Sequence, residues 1–452
     1  MADNNTNKAV STSDVVINAV YLINSSGKQV SLKNIFNVIN IYEDIFSSSV
    51  SGTIQLIDGV DAISDLGIHG TEFLYISFNR PGETADNLKY KRAFRIYKAA
   101  NREPNGSVQS YVLHFCSEEQ VFSNQQTISK TFKNGSPTDY IKSVCTGILK
   151  TNKAKINDAN FEKALGATEY VLTRYKPFEA IKLFTENSYN VHESPFMFFE
   201  NRDGYNFLSI ESMFDRTPIT TLNYNTAKMT RDQTDAAFKN STDITRFSFD
   251  SVFDVLNNTK NSAYSGRLYT LDLLKQKYSK NDYSAINRFN QKSLLDDYFP
   301  INDARNRNDK TMFEEYGTDV NFWLTNYNQS NSPYLASKLY RVNNTNVEKT
   351  LLQRKMQLQL LKNTVISCGV AGNPLYSPGY VINFNMPAFT PNKKSERLLD
   401  PYHSGKYLIT NVRHVITPSG GLQTYLQMAK NSVSAPYDSA TNSKEYKLAR
   451  DL

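Results

Sequence analysis

The sequence predicts a β-rich α+β fold, and three observations carry that prediction. Short runs in which apolar and polar residues alternate recur between tight-turn residues over 15–116 and again over 364–434. Between them, from about Ser117, the spacing changes to that of helices. The 452 residues include 28 Tyr and 26 Phe, while Gly and Pro stay ordinary at 19 and 15, a composition that suits a packed β-rich chain and not a disordered or fibrous one. At roughly 150 residues per domain, this length holds about three domains and ample chain for a buried core.

Along the chain, a polar leader ends at Val15. VVINAVYLIN and KQVSLKNIFNVINIYEDI read as strands around a Ser25-Ser26-Gly27 turn, and SVSGTIQLIDG, TEFLYISFNR and KRAFRIYKAANREPNGSVQSYVLHFC follow at regular spacing. Six or seven short strands over 15–116 read as a small barrel. Glu43 and Asp44 are the carboxylate pair to consider here. Neighbours in an extended segment point to opposite faces and cannot flank one bond, so the pair reads as structural.

Residues 117–215 form the inserted α+β unit. Ser136 is placed to cap a helix that starts at Pro137 and carries Tyr140, Ile141, Val144, Ile148 and Leu149 on one face. A second helix follows Tyr175-Lys176-Pro177, apolar at Phe178, Ile181 and Phe184. FMFFENRDGYNFLSIESMF is a hairpin turning at Arg202-Asp203-Gly204.

Residues 216–345 are polar, and SFDSVFDVLNN, SGRLYTLDLLKQKYSK and DVNFWLTNY read as strands between long loops. RLYTLDLLKQKYSKNDY fits strand or helix, and its first half is taken as strand. In 346–436, Asn346 to Lys362 is a helix capped by Asn343 to Asn346, with Leu351, Leu352, Met356 and Leu360 aligned as core. The run from Val365 to Val370, a break at Gly372-Asn373-Pro374, a Pro378-Gly379 turn and Tyr380 to Met386 read as a hairpin. Ser404-Gly405 opens Lys406 to Ile416, and Ser419-Gly420-Gly421 turns it into Leu422 to Ala429. The structural turn residues are thus Gly204, Gly372, Pro378, Gly379 and Gly405, with Gly379 at the type II position that takes positive φ. Four such strands need a larger sheet or barrel around them. Residues 437–452 read as a polar tail too short for a domain.

The C-terminal order of a small apolar strand, Gly372-Asn373, Ser377-Pro378-Gly379, an apolar strand, a long polar loop, Ser404-Gly405-Lys406-Tyr407, Arg413-His414 and a strand ending in Lys430-Asn431-Ser432 resembles the last barrel segment of the central baseplate hub proteins of contractile-tailed phages. That family is related to the hub half of type VI secretion spikes. Tyr42 to Phe46, Ser51-Gly52-Thr53-Ile54, Ile57-Asp58 and the path from Leu66-Gly67 through Gly70 to Phe73 are similar to the family's opening, and Tyr175-Lys176-Pro177 with Arg202-Asp203-Gly204-Tyr205 to its second domain. The resemblance implies two similar β-barrel tube domains, the second built from 216–345 together with the closing strands, and a structural role without catalysis. It implies a homotrimer in a virion tail baseplate, assembled in the host cytoplasm. Such a hub adapts a six-fold tail tube to a three-fold spike, touches other baseplate proteins, and lines a channel that DNA or effectors cross without specific binding.

The residues themselves supply little chemistry. His69, His114, His192, His403 and His414 are scattered, with no HExxH, no P-loop and no GxGxxG after a strand, so neither a metal nor a nucleotide cofactor is expected. Cys116, Cys145 and Cys368 are far apart and read as buried thiols of a reducing compartment; a Cys145–His192 nucleophile pair lacks a glycine-rich elbow. Fifty-one basic against 44 acidic residues leave +7 with no basic run, which argues against nucleic-acid recognition. No apolar run reaches the roughly 20 residues of a membrane span, and the start lacks a signal-peptide pattern, so a soluble protein is expected. The competing reading is a cell-wall hydrolase associated with a phage tail.

Overall fold

The computed structural model describes residues 14–59, 67–83, 85, 88–106, 108–166, 169–224, 243–272, 276–325, 347–388, 399–418, 421–438 and 449. The N-terminal unit holds β1 Val16–Ile23, β2 Gln29–Ser31, β3 Phe36–Asp44, β4 Ser51–Asp58, β5 Phe73–Asn79, β6 Tyr90–Asn105 and β7 Val108–Cys116. Period-two alternation does what it predicts: in β4, Ile54 and Leu56 are buried among Ile39, Ile41, Leu113 and Phe115, while the residues between them look out. These strands pair antiparallel in the order β3-β4-β7-β6-β5-β1-β2. They form an open sheet and not the closed barrel expected, because the second edge of β3 is taken by a C-terminal strand.

The inserted unit runs α1 Glu118–Gln125, β8 Ile128–Lys133, α2 Pro137–Ser143, β9 Ile156–Phe161, β10 Glu169–Tyr175, α3 Pro177–Glu186, β11 Phe196–Asn201, β12 Gly204–Ser209 and α4 Ile210–Phe214. Ser136 caps α2, its Oγ accepting from the Asp139 amide while Asp139 accepts from the Ser136 amide at 2.9 Å. Past Ser143 the helix widens into a π turn, Val144–Ile148, and Tyr140, Ile141 and Val144 pack with Ile181 and Phe184 of α3. β11 and β12 pair from Phe196↔Ser209 to Asn201↔Gly204, leaving Arg202-Asp203 as the turn. The short strands β8, β9 and β10 and helices α1 and α4 go beyond the two helices and hairpin expected here.

Next come β13 Thr221–Asn223, β14 Ile244–Ser251, α5 Val255–Lys260, β15 Ser265–Asp272, β16 Lys277–Ser284, α6 Ala285–Arg288, β17 Val320–Thr325 and α7 Val347–Leu361. SFDSVFDVLNN is half strand and half helix, since the Asp254 carboxylate accepts from the Asn257 amide at 3.0 Å and caps α5. β15, β16 and β17 do not enter a second barrel; they make their own sheet, and Leu268 and Tyr283 pack on Val347, Leu352 and Met356 of α7. The cap expected at Asn343 to Asn346 lies outside the described residues.

The closing strands are β18 Thr364–Ala371, β19 Val381–Asn385, β20 Gly405–Thr417 and β21 Gly421–Lys430. β18 and β19 are not a hairpin: β14 and β21 occupy both edges of β18, so the chain crosses through Pro378-Gly379 to place β19 beside β20. All of this joins the N-terminal strands in one 13-stranded sheet through the β20–β3 ladder, Asn411↔Asp44 to Ile416↔Ile39.

The two halves of that sheet repeat each other. The C-terminal half pairs in the order β14-β18-β21-β20-β19-β13, the N-terminal half in the order β3-β4-β7-β6-β5-β1. Irregularities repeat as well. A register shift between Ile96 and Lys98 on β6 matches one between Ile409 and Asn411 on β20, and a shift between Phe36 and Val38 on β3 matches one between Ile244 and Arg246 on β14. The halves differ at the last strand, where β13 runs parallel to β19 while β1 runs antiparallel to β5.

Candidate assembly site

Where the halves meet, one face of the sheet forms an open groove of about 690 Å³ lined by β3, β4, β14, β18, β20 and β21. Arg413 is among its lining residues. Its guanidinium sits 5.8 Å from the Tyr42 ring centroid and 5.7 Å from that of Tyr425, and Nε and Nη2 donate to Asn40 Oδ1 at 3.1 and 2.8 Å. Asn40 in turn donates to Thr53 Oγ1 at 3.1 Å, and Gln427 to Asp250 at 3.1 Å. The ionic residues lining this groove are Arg246 and Arg413 against Glu43 and Asp44, with Asp250 beside it, so the face is polar and close to neutral.

A second, buried polar cluster pins the inserted unit to the sheet. Arg92 of β6 pairs with Glu200 of β11 and also donates to the Asn201 and Arg202 carbonyls at 3.0 and 3.2 Å. Glu200 is fully buried. It accepts from the Val50 amide at 3.0 Å and from Ser117 Oγ, with Lys155 3.5 Å away, and Lys155 spans to both oxygens of Glu119 at 2.9 and 2.8 Å. Burial works to raise the Glu200 pKa, but Arg92, Lys155, Ser117 and the Val50 amide outweigh it and hold the carboxyl below its ordinary range.

Glu43 has the opposite fate. It shares β3 with Tyr42 and faces inward, with the Tyr90 hydroxyl 3.4 Å from Oε1 and no hydrogen-bond partner for Oε2 among the described residues. Burial pushes its pKa up to about 7, against the opposing pull of Arg92. Burial likewise lowers the His414 pKa to about 4, and its Nδ1 lies 3.0 Å from Thr424 Oγ1. The raised Glu43 value makes the neutral acid the favoured folded form. Its penalty is absent below about pH 4.5, grows up to about pH 7 and reaches roughly 3 kcal/mol above it. Glu43→Gln should therefore raise the urea midpoint at pH 8 and leave it unchanged near pH 4.5; parallel wild-type and variant profiles would refute the assignment.

The glycine and turn positions named from sequence each stand in tight surroundings. Gly379 has φ 83°, its amide donates to the Ile409 carbonyl at 2.9 Å, and an added Cβ would stand 2.6 Å from Phe199 Cζ. Asn201 Nδ2 reaches the Pro378 carbonyl at 3.3 Å. Gly405 abuts Asp296 and the wholly buried Lys430, whose Nζ donates to Asp296 and to the Ser404 carbonyl, both at 2.6 Å. Gly204 backs onto the Lys155 carbonyl, and Gly372 onto Leu422.

The remaining candidates stay apart. Cys116, Cys145 and Cys368 are buried free thiols. Cys145 lies in the apolar core of the inserted unit, while His192 is 2.9 Å from Glu211. Among the described residues no three His, Cys, Asp or Glu side chains group as a metal site, and no helix is long and apolar enough to cross a membrane. Of the residues named from sequence, Arg413 and His414 sit at the junction, one outward and one buried. Arg92, Glu200 and Lys155 are brought together, and separately Lys430 and Asp296, from positions too far apart for a spacing rule to link them.

No family model matches the chain. It is 25% identical over 191 residues to a probable baseplate hub protein of Vibrio phage KVP40, a match covering 41% of this chain and 44% of that protein. The chain thus aligns with less than half the length of that relative. Its fold is similar to that of a tail protein from Neisseria meningitidis MC58, at TM-score 0.52 and 11% identity over 92% of this chain and 97% of the other. It is equally similar to the 43 kDa tail protein of prophage MuSo2 from Shewanella oneidensis, at TM-score 0.52 and 9% identity over 91% and 98%. At such identities these two likenesses are of fold alone. The resemblance to phage baseplate hub proteins therefore holds in sequence through the KVP40 protein, and the fold is shared with two tail proteins.

Proposed function

We propose that this chain is a structural, non-catalytic component of a phage-type tail baseplate: a homotrimeric central hub that adapts a six-fold tail tube to a three-fold spike. The observation that carries the reading is the repeat within the sheet, β14-β18-β21-β20-β19-β13 against β3-β4-β7-β6-β5-β1. A chain holding two equivalent units presents six such units when three copies close into a ring, so one face can meet six-fold symmetry while the assembly stays three-fold. The near-neutral groove face fits a channel wall that a polyanion crosses, since a dense row of Lys and Arg would bind phosphates and hold it. Spike, tube and neighbouring baseplate proteins are then its partners. Nothing in the geometry favours the hydrolase reading. Sedimentation of the purified chain is expected to give three chain masses alone and three chain masses plus the bound spike when a spike protein is added; a chain that remains monomeric in both removes the symmetry-adaptor role.

A further inference from the structure

The strand registers place six residues of the groove in one line across the junction. Ser51 of β4 pairs with Tyr42 of β3, Tyr42 with Arg413 of β20, Arg413 with Tyr425 of β21, Tyr425 with Gly369 of β18, and Gly369 with Arg246 of β14. Tyr42 and Tyr425 are each 38% exposed, and Arg413 and Arg246 are open to solvent.

Both arginines lack a carboxylate. Among the described residues Arg413 gives its hydrogen bonds to the neutral Asn40 and lies beside two tyrosine rings, and Arg246 makes no ion pair. The outward carboxylates here, Asp44 in the groove and Asp250 beside it, are engaged by neutral donors instead. Asp44 accepts from the Phe46 amide at 2.8 Å, and Asp250 from Ser367 and from Gln427, the latter at 3.1 Å. Glu43 is buried. Two guanidiniums set on strands without a counter-charge are suited to carboxylates, which match their fork of donors.

We propose that the groove binds an extended acidic segment of another protein, laid across the strands with one carboxylate on Arg413 and a second on Arg246. Spacing sets its pattern. The two arginines are three strands apart, about 14 Å at about 4.8 Å per strand. In an extended chain, residues i and i+4 share a side and stand about 13 Å apart, whereas i and i+3 point to opposite sides. The ligand therefore carries acidic residues four apart, and the residue midway between them lies over Tyr425 and Gly369, where an apolar side chain meets the ring. Nucleic acid fits poorly, because its continuous row of phosphates meets Asp44 and Asp250 as well as the arginines. This goes beyond the hub reading, which asks of the groove only that it be nearly neutral.

The probes are two end-blocked, fluorescently labelled peptides of one composition, Glu-Ser-Leu-Ser-Glu and the offset Glu-Ser-Leu-Glu-Ser. They are added to the full chain at physiological salt, with binding read by anisotropy. The first should bind, and the offset peptide about ten-fold more weakly, since one charge-assisted contact is lost. Arg413→Gln and Arg246→Gln should each weaken the first peptide about ten-fold, and Arg413→Lys should recover part of the loss. Arg246 is exposed on an edge strand, so its variant tests the site even where loss of Arg413 disturbs the junction. A labelled oligothymidylate of the same charge should bind more weakly than the first peptide. No binding of the first peptide, equal binding of the offset peptide or the oligothymidylate, or full binding by the Arg246 variant overturns the site. Sedimentation reads assembly separately, so failure here leaves the hub reading standing, and a monomer that binds the first peptide leaves the site standing.

Discussion

Glu200→Ala is expected to be among the most damaging single substitutions in the chain. It leaves the Arg92 guanidinium, 7% exposed, without its counter-charge and strips acceptors from the Val50 amide and Ser117. Removing one member of a buried pair costs about 3–5 kcal/mol, because the partner cannot recover its hydration. Arg92→Met alone should cost a similar amount, and the double variant Arg92→Met with Glu200→Leu less than the sum, since neither charge is then stranded. Urea unfolding at pH 7 reads all three. Single variants within about 1 kcal/mol of wild type, or strictly additive effects, would show that the inserted unit is held to the sheet by apolar packing and not by this pair.

Gly379→Val follows, by a different route. The φ of 83° lies where an L side chain costs roughly 1–2 kcal/mol, and valine's branch adds a clash with the Phe199 ring, worth about 1–3 kcal/mol more in a packed core. The damage falls on the β19–β20 ladder, because Gly379 and Tyr380 exchange hydrogen bonds with Ile409, both at 2.9 Å. Soluble yield and the urea midpoint should drop, and Phe199→Leu should restore part of the steric share. A variant that melts with wild type would mean that the loop can move away from Phe199 at no cost.

Much of the strand inventory was legible because half-buried strands impose period two on their own sequence: β4, β5, β7, β20 and β21 each sit where alternation places them. Ser136 was legible for a local reason too, since a cap and its helix lie within a few residues. Pairing was not. Backbone ladders carry no side-chain signature, so Pro378-Gly379 announced a turn but could not say that β19 goes to β20 and not to β18. For the same reason the joining of β3 to β20, across most of the chain, left no trace in composition. The polar short strands β8 and β9 expose at least half of their residues and lack the apolar contrast that reveals a strand. At the junction, Arg413 and His414 stood out through the resemblance, whereas Arg92 and Glu200, 108 positions apart, are joined only by the fold.

The central claim is that duplication inside one chain turns three copies into six near-equivalent units. Electron microscopy of the purified assembly, averaged down its axis without imposed symmetry, tests it most directly. The account predicts an open ring with three-fold symmetry whose inner wall shows six similar segments. An inner wall with three segments, or a particle with no central opening, would contradict it.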